Sequence, residues 1–328
     1  MELPSYSIAI RTLGKSGDIF RRELESISTQ TVKPEKVVIY IAEGYSCPDS
    51  SGGDFEYVWV KKGMVAQRAL RYDEIQSDCI LMLDDDVLLE PDTAEKMLKA
   101  MAENGVDAIG ADVFQNHKMS LAHKVYSAVT NLVFPHWSKK WAFIVRRNGS
   151  FSYNNRPVRS FYLSQSCGGP AQLWKKDVWA NLHIEDELWL ESFGFPYGED
   201  QVMTYKLFLN GGRLGVLYDA GVTNLDARSS SESFKKSPER IYIRTKAQFM
   251  IWYRCIYRNG KDTPLSRLAS AAAFGLKSFW LTFVMCAASV FKLDKSFIVN
   301  YMKGLRDGFR TVHSQEFRSI PSYLIKDR

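Results

Sequence analysis

The chain has 328 residues, 45% hydrophobic and 24% charged, which is the composition of a folded globular protein: one large α/β body, or a body with an appendage. Its five cysteines (Cys47, Cys79, Cys167, Cys255, Cys286) are odd in number, far apart and without a CxxC pair, which argues against a disulfide framework and a zinc cluster. The net charge of +6 conceals a division, because residues 235–328 carry +12 and residues 1–234 carry −6; an acidic body bears a basic, hydrophobic tail suited to an anionic surface.

The opening MELPSYSIAI lacks a basic start followed by a long apolar stretch, so the catalytic part is expected to be cytoplasmic. YSIAI (6–10) reads as a strand, and Asp18 is placed to cap a helix with Ile19, Phe20, Leu24 and Ile27 on one side. Strands follow at 36–41 (KVVIYI), 56–60 (EYVWV) and 78–83 (DCILML), with a helix predicted over 65–76. Pro91-Asp92-Thr93 opens a helix with Glu95 three positions past Asp92, as in a capping box; Asn104-Gly105 closes it, and 107–113 is a further strand. The alternation predicts an α/β fold with a mostly parallel sheet flanked by helices, whose ligands sit at the carboxyl ends of the strands.

Residues 114–165 have no clear period and mix aromatics with cations, which fits either a partner-contacting excursion or plain amphipathic packing. From Ser166, CGGPAQLWKKDVW reads as a glycine turn, a strand and a helix start. A helix follows from about Glu199 with a Gly-Gly stop, and RLGVLYDAGVTNLDAR forms a strand pair. The predicted organisation is a catalytic body over 1–227, a linker at 228–240 and a C-terminal helical region over 241–328.

Asp84, Asp85 and Asp86 stand directly behind the apolar run CILML. Three adjacent carboxylates repel one another unless a positive charge meets them, so the stretch is either a solvated strand end or a divalent-metal site. In extended backbone Asp84 and Asp86 would share a face and form a hard-oxygen pair suited to Mg²⁺ or Mn²⁺. An EF-hand is excluded, since Leu88 and Leu89 stand where a ligand and the turn glycine are needed. No Walker loop, GxGxxG, HExxH or nucleophile elbow is present.

Three blocks, SIAIRTLGKSGDIFRRELESISTQTVKPEKVVIYIAEG, KGMVAQRALRYDEIQSDCILMLDDDVLLEPD and YGEDQVMTYKLFLNGG, resemble in their order the inverting family 2 glycosyltransferases of the GT-A fold, over roughly residues 5–226. The resemblance implies a pocket for the nucleotide of a nucleotide-diphospho-sugar, a UDP-sugar by preference, formed by Arg11, Thr12, Glu43, Arg68, Asp84 and Asp85. It further implies Mn²⁺ or Mg²⁺ held by Asp84 and Asp86, and Glu199-Asp200 as the catalytic pair, with Asp200 the base that takes the acceptor proton. Two departures stand out. Asn224 occupies the place of a metal-binding histidine, with Asp226 two residues on as a substitute ligand, and Gly168-Gly169 forms an atypical acceptor-side turn.

The stretch 268–291 contains one charge, Lys277, and has basic residues on both sides. This pattern predicts a helix lying in the cytoplasmic leaflet against anionic headgroups and not a spanning one; the alternative is a helical hairpin packed on the body or on a second copy of the chain. The expected partners are therefore a nucleotide-sugar donor, a glycan or lipid-linked acceptor and an anionic membrane surface, not nucleic acid. Two rival functions are a degenerate sugar-nucleotide-binding protein and a nucleotidyltransferase, the latter on the strength of a faint glycine-basic loop, RTLGKSGD.

Overall fold

The computed structural model describes residues 2–46, 54–112, 125, 128–129, 136, 138–193, 197–225, 239–259 and 263–325. The chain begins with β1 (Tyr6–Thr12), α1 (Gly17–Ser28), β2 (Val37–Ala42), β3 (Glu56–Val60), α2 (Met64–Arg68) and β4 (Cys79–Asp84). It continues through β5 (Val87–Leu89), α3 (Thr93–Asn104), β6 (Ala108–Ala111), β7 (Phe143–Val145), β8 (Phe151–Tyr153), β9 (Phe161–Ser164) and β10 (Ala171–Lys175). The body is completed by α4 (Lys176–Asn181), a 3₁₀ segment (Ile184–Phe193), α5 (Glu199–Leu209), β11 (Leu214–Leu217) and β12 (Val222–Asn224).

Eight strands form one sheet in the order β3-β2-β1-β4-β10-β6-β11-β9, in which only β9 and β10 run antiparallel to their neighbours. Both faces are covered, and the two-residue period of the strands divides the core accordingly. In β2, Val38 and Tyr40 join the cluster on one face, while Ile39 and Ile41 join Ile8, Ile10, Leu81 and Leu83 on the other. Helix α1 buries Phe20, Leu24 and Ile27, one apolar stripe, together with the carboxyl-bearing Glu23.

Several local expectations are corrected. The helix predicted over 65–76 stops at Arg68, after which the chain turns at Tyr72 (φ 55°), whose buried ring packs edge-on against Tyr40 at 5.2 Å. Tertiary burial of that ring overrides the local helical pattern. Asp92 precedes α3 but makes no side-chain cap, and Glu95 is engaged by Thr31 (2.8 Å) and Lys99 (2.5 Å), so no capping box forms. Gly105 does close α3, in the left-handed region at φ 56°. Of the strand read over 107–113, Ala108–Ala111 is extended, and residue 113 lies outside the described residues. Within 138–164 the aromatic-rich stretch forms the β7–β8 hairpin and edge strand β9, with Ala142, Phe143 and Tyr162 buried, which is amphipathic packing.

Beyond residues 226–238, which with most of the predicted linker lie outside the described set, come α6 (Glu239–Ile251), a π-helical turn (Trp252–Tyr257), α7 (Pro264–Phe291), α8 (Ser296–Val312) and α9 (Gln315–Ser319). Helix α8 approaches α6 closely because Gly304 and Gly308 leave no side chain in the way: a Cβ at Gly304 would stand 2.7 Å from the Tyr242 carbonyl oxygen, and one at Gly308 3.0 Å from the Phe249 Cβ. The chain end returns to the body, where Asn210 donates to the Tyr323 carbonyl (3.2 Å) and accepts from the Ile325 amide (2.8 Å). Helix α7 alone is long and apolar enough to cross a membrane among the described residues, yet only 17% of its most apolar window is covered by protein.

Candidate active site

Parallel pairing of β1 with β4 sets Arg11 beside Asp84 at the carboxyl ends of the two strands, and a cleft of about 410 Å³ opens there. Arg11, Thr12, Arg68, Asp84, Asp85 and Asp86 all wall it. The alternation that would pair Asp84 with Asp86 stops where β4 ends, so each aspartate has its own environment. Asp84 accepts from Arg11 Nη2 at 2.8 Å and from Arg68 Nη2 at 2.9 and 3.0 Å. Asp85 accepts from the Thr12 hydroxyl at 2.5 Å. Burial raises the Asp85 carboxyl above its usual range against the pull of the Thr12 hydrogen bond, and the charge of Asp84 adds to the rise. Behind them, burial and then the charge of Asp85 push Glu23 well above the usual carboxylate range, which favours its neutral form in that apolar layer.

The second half of the site comes from the start of α5. Gly198, at φ 75°, turns the chain into the helix, and Arg68 reaches across to it: its Nη1 forms an ion pair with Asp200 and lies 4.0 Å from Glu199 Oε1. One guanidinium thus ties Asp84 to Asp200, using the several donors that arginine presents in one plane. Thr204 fixes the first turn of α5 to the glycine turn by accepting from the Cys167 amide at 3.1 Å and donating to the Asp200 carbonyl at 2.7 Å. The atypical Gly168-Gly169 has a steric reason at its second residue, where a Cβ would fall on the Asp200 carboxylate.

A buried ionic cluster holds the far end of α5. Lys206, fully buried, donates to the His183 carbonyl (2.7 Å), Glu187 (3.0 Å) and Asp186 (3.3 Å). Arg254, from the C-terminal region, grips both oxygens of Glu187 at 2.8 Å. Burial alone would raise the Glu187 carboxyl, but Arg254 and then Lys206 outweigh it and hold it at about 2.

Some expected residues are placed differently. Glu43 is exposed past the end of β2 and is not among the residues walling the cleft. Asn224 pairs across from Val87, and the Leu225 amide donates to the Asp86 carbonyl at 2.9 Å, so the β12 end does run beside Asp86. Asp226 lies outside the described residues. Sequence reasoning missed Glu191, whose carboxylate accepts from the Met64, Val65 and Ala66 amides (3.1, 2.7 and 3.1 Å) and shapes the cleft wall. It also missed Gln67, which joins the ends of β1 and β2 by donating to the Thr12 and Tyr40 carbonyls at 3.2 and 3.3 Å. Lys15 and Lys62 were missed as well; both wall the cleft and lie over the Tyr45 ring at 4.9 Å. No short motif marks these residues; their roles arise from segments distant in sequence.

Among the described residues, no group of three histidine, cysteine or acidic side chains converges as a metal cage. Asp84 is already balanced by two guanidinium groups, while Asp86 walls the cleft and Asn224 lies on the adjoining strand, opposite Val87.

A family model described as "Glycosyltransferase like family 2" matches residues 15–240. Among solved structures, TarS of S. aureus aligns with a TM-score of 0.52 at 15% identity, covering 96% of this chain and 50% of that one. GalNAc-T7, solved with UDP, GalNAc and Mn²⁺, aligns with a TM-score of 0.50 at 10% identity, covering 89% and 59%. At these identities the likeness is one of fold, and the chain spans about half the length of the TarS chain. No curated protein matches the sequence significantly. The family match runs through the aspartates at the end of β4, the glycine turn and the Glu199-Asp200 helix start, and the chain therefore belongs to the glycosyltransferase like family 2, with the GT-A fold.

Proposed function

We propose that this enzyme transfers a sugar from a UDP-type nucleotide-diphospho-sugar to a hydroxyl of a membrane-held, lipid-linked acceptor, with inversion at the anomeric carbon. The observation that supports the reading is the Arg68 bridge: one guanidinium that walls the cleft pairs on one side with Asp84 and on the other with Asp200, the candidate base at the start of α5. In this reading Arg11, Arg68, Lys15 and Lys62 offset the charge of the diphosphate, and Thr12 with Gln67 shapes the floor. Asp200 accepts the acceptor proton as the hydroxyl oxygen bonds to the anomeric carbon; the bond to the diphosphate breaks on the opposite face, and the configuration inverts. A divalent ion bound at Asp86 and Asn224 would supply Lewis-acid stabilisation of the leaving nucleoside diphosphate.

The membrane half of the reading is supported by α7, whose Leu268, Leu276, Phe279, Phe283 and Val290 are exposed at helical spacing while the opposite side rests on the body. Lys277, midway along, is buried and points at the Asn148 carbonyl (3.5 Å), as expected of a helix lying against its own protein at an interface. Lys292 and Lys295 at its end suit anionic headgroups on the cytoplasmic side.

The decisive test is Asp200→Asn assayed with a panel of sugar nucleotides and Mn²⁺ or Mg²⁺. Transfer is expected to fall by about 10²–10⁴ while UDP binding persists. Full turnover by the variant would remove Asp200 from the base role, and release of pyrophosphate in place of nucleoside diphosphate would overturn the reaction itself.

A further inference from the structure

At the root of the α7–α8 hairpin, away from the strand-end cleft, lies a second cavity of about 560 Å³. Its floor is aromatic: Trp252 stacks on Phe274 with ring centroids 4.2 Å apart, and Phe309 lies 4.3 Å from the His313 ring. Its walls are cationic, with Arg258, Arg267 and Arg318 all facing it. Among the described residues no carboxylate lines it, and none forms an ion pair with any of the three guanidinium groups. Arg267 Nε is buried there without a hydrogen-bond partner. Arg258 and Arg318 also wall the adjoining cavity of about 410 Å³.

Three arginines with no carboxylate partner among the described residues repel one another, and a buried guanidinium N–H left unpaired costs free energy. Both costs are relieved by one anion with several acceptor oxygens, and planar guanidinium donors match phosphate. The aromatic floor asks for an apolar group attached to that anion. The cavity's exits supply a path for it: Leu268 is 66% exposed one residue beyond Arg267, and Phe309 is 56% exposed on α8. From Leu268 the exposed stripe continues through Leu276, Phe279 and Phe283.

We propose that this cavity is a binding site for an amphipathic phosphate, its phosphoryl group held by Arg258, Arg267 and Arg318 and its apolar chain leaving over Trp252 and Phe309 along α7. The proposal rests on the interfacial reading of α7, and the occupant is a lipid phosphate drawn from that interface. It gives the basic tail a stereochemical role beyond general attraction to a negative surface.

The test uses the full chain and dodecyl phosphate below its micelle-forming concentration, followed by Trp252-sensitive fluorescence and calorimetry, with inorganic phosphate and an uncharged dodecyl glycoside as comparators. Dodecyl phosphate is expected to bind at least about tenfold more tightly than either comparator, and Arg267→Gln and Arg318→Gln each to weaken it about tenfold, the size of a lost charge-assisted hydrogen bond. UDP binding by both variants establishes that they are folded. Equal binding of inorganic phosphate, equal binding of the glycoside, no binding of dodecyl phosphate, or indifference to both substitutions would each overturn the site. Anionic vesicles sedimented with the same protein separate the two readings: binding of dodecyl phosphate without pelleting sinks the interfacial reading, and pelleting without binding sinks the site alone.

Discussion

Replacing Arg254 by methionine tests whether the C-terminal region is a structural part of the catalytic body. The substitution keeps most of the side-chain volume but removes both 2.8 Å bonds to Glu187 and the 3.2 Å bond to the Pro321 carbonyl, leaving Lys206 at 3.0 Å and Trp189 at 2.6 Å to support a fully buried carboxylate. Breaking one side of a buried ion pair costs about 3–5 kcal/mol, and the surviving Lys206 contact places the loss near the lower end, about 3 kcal/mol at neutral pH. The pH dependence follows from the direction of the shift. In the parent chain Glu187 is held at about 2 against an ordinary 4.5, so its contribution is complete above the ordinary value and is lost as pH falls toward the folded one. In the variant, burial is opposed by fewer partners, the folded carboxyl rises, and this acid-side loss shrinks. Urea unfolding of both proteins from about pH 7 to about pH 3 should therefore show a gap in stability that is widest at neutral pH and narrows in acid. A gap that stays constant with pH, or no gap at all, would refute the assignment of Arg254 as the residue that keeps Glu187 charged.

Three further substitutions probe the site and its support. Gly169→Ala should displace the Asp200 carboxylate and reduce transfer by one or more orders of magnitude, with UDP affinity little changed; undiminished transfer would mean that the turn does not position the base. Asp86→Ala should weaken donor binding in the presence of Mn²⁺ much more than in its absence, measured by calorimetry with UDP, and equal weakening in both would show that Asp86 does not act through a metal. Gly304→Leu should force α8 away from the Tyr242 carbonyl and destabilise the chain by roughly 1–3 kcal/mol, an overpacking cost, and unchanged unfolding would show that the helices do not need that approach.

The β1, β2 and β4 strands were legible because each is a short apolar run bounded by polar residues, and the candidate site residues stand out in sequence where a motif is contiguous: Asp84 to Asp86 at a strand end, and Glu199-Asp200 at a helix start. What the sequence could not supply is charge pairing across distance. The family resemblance implies a nucleotide contact for Arg68, yet its bond to Asp200 spans more than a hundred residues, and no local pattern encodes it. The same holds for Glu191 capping α2 and for Gln67 stitching β1 to β2. The helix expected over 65–76 failed for a related reason, since a buried Tyr72 ring fixes the backbone there through contacts with Tyr40 and Trp179. Charge and hydropathy set the tail apart in composition, but they do not show that Arg254, Tyr323 and Ile325 reach back to the body.

That return path changes how the C-terminal region has to be studied. A chain ending near residue 237 would lose more than a membrane-facing helix: it would uncover the core positions filled by Ala247, Met250 and Ile251 and strip Arg254 from Glu187. A truncated protein that failed to pellet with vesicles could therefore have lost its fold and not merely its lipid contact. Substitutions confined to the exposed stripe of α7 avoid this, because Phe279 and Phe283 touch solvent and leave the Lys277 side of the helix on the body. On the proposed function, nucleotide sugar enters the strand-end cleft past Lys15 and Lys62, and the lipid-borne acceptor arrives along α7. Helix α5 is tied at both ends, by Asp200 to Arg68 at its start and by Lys206 to the cluster that Arg254 completes.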